Sequence, residues 1–145
     1  MALSVDAAVS SARSGDAAAF ADAVAGLGRV DREQLAVLLG AVARELLERS
    51  HPAGLDADGA GQVLDRCIRS AAGWYEELDS DVLLQALTGA LGISDPDESP
   101  PPAAAVMPHG LLLIADQLRI LDAELPPVLD LALRELMRAQ TVELP

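Results

Sequence analysis

Asp31-Arg-Glu-Gln-Leu-Ala-Val-Leu-Leu-Gly-Ala-Val-Ala-Arg-Glu-Leu-Leu-Glu-Arg-Ser-His-Pro52 is the stretch whose reading decides the fold class. Leu35, Leu38, Leu39, Val42, Leu46 and Leu47 recur at three- and four-residue spacing, which gathers them on one face of a helix. Arg44, Glu45, Glu48 and Arg49 cover the opposite side. A strand would alternate apolar and polar residues instead. Asp31 followed by Gln34 has the form of a capping box, and Pro52 with Gly54 ends the run.

Working toward the N-terminus, the same spacing predicts two short helices. Val5, Ala8, Val9 and Ala12 share a face, Ser14-Gly15-Asp16 stops that helix, and Asp16 caps the next. Phe20, Ala23, Val24 and Leu27 continue until Gly26 and Gly28. Toward the C-terminus, a fourth helix is expected from about Asp58 to Trp74, with Val63, Leu64, Cys67, Ile68 and Ala71 on one stripe. A fifth starts at Asp79 or Ser80, carries Leu83, Leu84, Leu87 and Leu91, and closes at Gly92.

The acidic, proline-dense segment from Ser94 to Pro102 cannot be helix or central strand, and a loop is expected over about 94–108. A sixth helix then starts with Pro108 at its first position and reads Leu111-Leu-Leu-Ile114, Leu118, Ile120 and Leu121. Apolar almost all round, it should be the central helix. Pro126-Pro127 breaks and restarts the chain. The seventh helix should turn Leu129, Ala132, Leu133, Leu136 and Met137 inward.

The expected architecture is all-α: one domain over 1–145, a compact bundle of six or seven helices ending in a hairpin. Val37-Leu-Leu-Gly-Ala-Val42 echoes Val82-Leu-Leu-Gln-Ala-Leu87 at a distance that suits a helical repeat, so a solenoid is the alternative. Composition agrees with helices. The 145 residues include 27 Ala and 25 Leu against 17 Val, Ile and Thr together, with Phe20, Trp74 and Tyr75 as the aromatics. A sandwich or barrel draws far more on branched and aromatic side chains.

The formal net charge is −13. Such a surface repels nucleic-acid phosphates and anionic lipid, and three aromatics offer no stacking platform for single strands. Neither nucleic acid nor membrane is therefore an expected partner. The apolar run near Ala103–Ala115, interrupted by Pro108, His109 and Gly110, reads as too short to cross a bilayer. Met1 to Asp6 has no basic or apolar leader character, and a cytoplasmic location is expected.

The ten basic residues are all Arg. Chemistry that needs lysine, such as a Schiff base or a phosphate-loop lysine, is excluded. One cysteine, Cys67, rules out an internal disulfide and a thiolate zinc cluster, and its place on an apolar stripe suggests an inert thiol. Asp56-Ala-Asp58-Gly-Ala-Gly61 opens like a calcium loop. Ala60 and Cys67 stand where further ligands belong, so a helix cap at Asp56 or Asp58 is the better reading. Glu48-Arg-Ser-His51 has di-iron spacing without a second copy. Gly26-Leu-Gly28 is a helix-ending turn rather than a dinucleotide loop. No metal or cofactor is expected, and catalysis is not expected either.

What remains are two places. Trp74 and Tyr75 stand together beside Glu76, Glu77 and Asp79, which resembles an interface hot spot with an acidic rim suited to a basic partner. His109, at the head of the most apolar helix, should be a neutral hydrogen-bonding imidazole and could sit at the mouth of an interhelical cleft. The leading expectation is a protein-interaction module (adaptor, accessory subunit or inhibitor-like), with a homodimer through a leucine face as one form. The alternative is a binder or sensor of an apolar small molecule between helices; a helical enzyme with dispersed carboxylates is a third class.

Overall fold

Seven α-helices account for about four fifths of the described residues, which in this computed structural model are 2–93, 97 and 103–143. They are α1 (Ala2–Ser14), α2 (Ala17–Leu27), α3 (Arg32–Ser50), α4 (Ala57–Ala71), α5 (Ser80–Ala90), α6 (Ala103–Leu121) and α7 (Leu125–Glu143). No strand occurs among the described residues.

Carboxylate caps start four of these helices. Asp16 Oδ1 accepts the Ala19 amide, Asp31 Oδ1 those of Glu33 and Gln34, Asp56 Oδ1 that of Gly59, and Asp79 Oδ1 those of Asp81 and Val82. Each satisfies amides that have no partner within the helix and places negative charge at the positive end of the helix dipole. The Asp56–Gly61 stretch is thereby a cap and first helical turn, with Asp56 as the capping residue. Gly15 adopts φ +71° between α1 and α2, a backbone region open to glycine, and Trp74 Cδ1 would lie 3.5 Å from any Cβ placed there.

The α3 stripe is buried throughout, as are Val5, Ala8, Val9 and Ala12 on α1. One connected core joins all seven helices. α6 runs through its middle, packing against α1, α3, α4 and α5, while α7 lies on α3 and α1. Contacts between α1 and the two last helices close the arrangement on itself. In a solenoid each unit would touch only its neighbours in sequence, so the molecule is a bundle.

Three expectations need correction. α6 begins at Ala103, so Pro108 lies inside the helix and residues 103–108 are not loop; the rest of that expected loop, apart from Asp97, falls outside the described residues. Proline does prefer a first turn, but Ala103–Ala105 are strong helix formers, and burial of Pro108 and its neighbours offsets the lost amide. Running through the proline lengthens the apolar helix: Ala104–Leu121 has a mean hydropathy of 1.3 and is long and apolar enough to cross a membrane, although more than half of it is buried against the other helices. Lastly, Met137 and Ile120 point outward, 65% and 48% exposed, because α7 buries a narrow stripe and α6 ends at the bundle edge. α6 stops with Asp122 at φ 50°, a left-handed position that Asp tolerates better than most residues, and the Ala123 amide reaches back to the Leu118 carbonyl.

Candidate functional site

Small side chains on facing helices leave a cleft of about 600 Å³ among α2, α3, α5 and α6. On α3 the wall is Arg32, Ala36, Gly40 and Ala43, one turn apart along the flank of the buried leucine stripe. α5 supplies Gln85, Ala86, Gly89 and Ala90, and α6 supplies Ala104, Met107 and Gly110. Leu27, Leu35, Leu39 and Leu113 form apolar parts of the lining. The helices cannot draw closer, because their larger residues already meet in the core. Where the facing residues are mostly Gly or Ala, the gap stays open.

The glycines are informative. A Cβ built on Gly40, Gly89 or Gly110 meets nothing within 4 Å. Neither turn geometry nor close approach requires glycine at these positions, and each sits in a helix that alanine would favour by about 0.5–1 kcal/mol. Sequence reading passed over them. An unexplained glycine inside a strong helical pattern, as at Gly40, was the available signal.

The cleft is electrically unusual for this chain. No carboxylate lines it among the described residues, and its one charged lining residue is Arg32, at the first position of α3. Asp31, next to it, is turned to the amides of its own helix.

His109 lies elsewhere. It is buried, 2% exposed, on a side of α6 that does not line the cleft. Its Nδ1 faces the Ala105 carbonyl at 2.7 Å, and its Nε2 accepts the Asp79 backbone N–H at 3.0 Å. Only the neutral Nδ1–H tautomer meets both partners. His109 therefore ties α6 to the start of α5. Its neutral, hydrogen-bonded state matches expectation, but its setting is a helix interior rather than a helix head.

Trp74 and Tyr75 are half-buried at the end of α4. Both rings meet Phe20 edge-on, at centroid distances of 5.3 and 5.5 Å, and Tyr75 also contacts the His109 ring at 5.8 Å. Trp74 Nε1 donates to the Ser70 carbonyl. The three aromatics thus gather at one junction of α2, α4 and α6. Glu76, Glu77 and Asp79 are exposed beside it, Asp79 capping α5. Burial, then the charge of Glu77 and a hydrogen bond to it, push the Tyr75 phenol above its ordinary value.

On the far side of α6 the interior is polar and filled. Asp116, 2% exposed, takes Arg66 Nε on both oxygens at 3.2 and 3.0 Å and Arg66 Nη2 at 2.9 Å. Gln117, fully buried, meets Ser50 Oγ, which also contacts His51 Nδ1 at 2.8 Å. Cys67 is buried here, and burial together with the Asp116 carboxylate pushes its thiol far above the ordinary range, away from a nucleophilic thiolate. The gap beside it measures about 10 Å³, room for roughly one water. Glu48 pairs with Arg44 at the surface while His51 caps α3, so the two do not converge. No three of His, Cys, Asp and Glu come together as metal ligands among the described residues.

No family model matches this chain, and neither a curated protein nor a solved structure does.

Proposed function

We propose that the protein binds an apolar small molecule in the cleft between α3, α5 and α6, and acts as its carrier or sensor. The observation that carries this reading is the cleft itself, about 600 Å³ with a wall mostly of Gly, Ala, Leu, Val and Met. Ligand sites are typically concave, mostly apolar and roughly 300–1,000 Å³ in volume, whereas a stable protein interface needs about 800 Å² from each partner. Glycines with open space in front of them support the same reading, since a helix selected for stability alone would carry larger residues there.

The test is calorimetric titration of the full chain with dodecanol below its solubility limit. Binding should release heat with a negative heat-capacity change, the mark of apolar burial. Gly89→Leu, which fills open space, should weaken it at least tenfold, about 1.4 kcal/mol, without lowering the melting temperature. Undiminished binding to that variant would overturn the assignment to this cleft.

A second reading concerns the Trp74–Tyr75 corner, where half-buried rings adjoin the exposed carboxylates of Glu76, Glu77 and Asp79. This combination supports a basic protein partner, with a second copy of the chain as the competing occupant. An arginine-rich peptide should bind at low salt, and Glu76→Gln with Glu77→Gln should slow its association. Salt-independent binding would remove the electrostatic basis of this reading.

A further inference from the structure

We infer that the occupant of the cleft is an amphiphile: an apolar chain whose anionic head, a carboxylate, is held by Arg32. This rests on reading the cleft as a ligand site and adds the chemistry of its mouth. Among the described residues the wall is otherwise uncharged, so one guanidinium decides which head group is tolerated there.

Arg32 is set apart from most cations of the molecule. In a chain with 23 acidic and 10 basic residues, Arg13, Arg44, Arg49, Arg66, Arg69 and Arg119 each meet a carboxylate. Among the described residues Arg32 meets none, although Asp31 and Glu33 flank it in sequence. Asp31 is committed to the Glu33 and Gln34 amides. One turn further along α3 stands Ala36, a lining residue, where a Glu would have made the ordinary helical ion pair. The guanidinium is exposed, and none of its five donors has a partner among the described residues. A carboxylate matches that planar fork with two parallel hydrogen bonds, while a cationic head would be repelled at short range.

The global charge of −13 opposes any anion, but at physiological salt it is screened over about 8 Å. At the mouth of a cleft with no carboxylate among its described lining residues, the nearby guanidinium outweighs more distant acidic groups. Burying the chain then supplies affinity, and Arg32 supplies selection.

Three ligands with the same chain separate these contributions: dodecanoate, dodecanol and dodecyltrimethylammonium, each titrated below micelle formation. Dodecanoate should bind about tenfold tighter than dodecanol, the size of one charge-assisted hydrogen bond, and the cationic amphiphile weakest. Arg32→Gln should bring dodecanoate down to the dodecanol value and leave dodecanol unchanged. Arg134→Gln, which removes the same charge on α7 away from the cleft, should leave the preference intact. Equal binding of dodecanoate and dodecanol to the unmodified chain overturns the inference, as does a preference that survives Arg32→Gln. Loss of the preference in Arg134→Gln as well would assign it to net charge and overturn it too. If dodecanol binds without head-group preference, the cleft reading stands and only this inference falls; if none of the three ligands binds, the cleft reading falls as well.

Discussion

The two halves of α6 are packed in opposite ways. From Ile114 to Leu118 every residue is buried, Asp116 and Gln117 included, and the surrounding volume is filled by Arg66, Ser50 and Cys67. Through Ala104, Val106, Met107 and Gly110, one face of the same helix looks onto small residues of α3 and α5 across unfilled space, while Pro108 and His109 on its other side are buried. Protein interiors approach crystal density when facing side chains complement one another in volume. The C-terminal half meets that condition with long and polar side chains. The cleft face of the N-terminal half does not, because mostly short residues oppose one another there. One half is filled; the other borders open space.

The largest effect should come from the filled half. Arg66→Ala would leave the Asp116 carboxylate buried, with Arg119 at 4.0 Å as its nearest remaining ion pair. A loss of about 3 kcal/mol is expected in denaturant unfolding. A loss below 1 kcal/mol would show that the polar half is not what ties α4 to α6.

The aromatic junction comes next. Trp74→Ala should cost about 2–3 kcal/mol, somewhat less than a fully buried ring, because Trp74 is only half-buried against Phe20 and Gly15. A change of a few tenths, measured by thermal denaturation, would move Trp74 from the packing of the bundle to a surface reserved for a partner.

The unfilled half should respond in the other direction. Gly40→Ala and Gly89→Ala should each stabilise the protein by about 0.5–1 kcal/mol, since each helix gains propensity and the new methyl enters open space. Destabilisation at either position would mean that this wall is already close-packed and that the two halves of α6 differ little in packing.

The smallest effect is a titration. Tyr75 is the sole tyrosine of the chain, and its folded-state value is raised above 10.0 by burial and by Glu77. Its contribution to stability is complete below about pH 10, where folded and unfolded forms both hold the proton, and is lost as pH rises through the folded value. Phenolate absorbance should therefore appear at higher pH in the native protein than in denaturant. Glu77→Gln should narrow the gap, and coincident titrations would place Tyr75 in solvent.

Much of the fold was legible in the sequence, for a local reason. Helical periodicity and caps depend on residues three or four apart, so the Leu35–Leu47 stripe, the caps at Asp16 and Asp31, and the burial of Cys67 follow from short windows. The start of α6 was not legible, because a local preference of Pro108 for a first turn yielded to packing by helices distant in sequence. His109 was singled out as polar, but its partner, the Asp79 amide, is 30 residues away and fixed only by how α5 meets α6. The cleft lay further out of reach. Gly40 is an unexplained glycine in a strong helical pattern, but neither it nor Ala86 or Gly110 by itself announces a cavity. An unfilled volume is the difference between where the large core residues hold four backbones and how far the small residues between them can reach. Sequence determines each of those side chains, but only the assembled bundle sets the distance they must span.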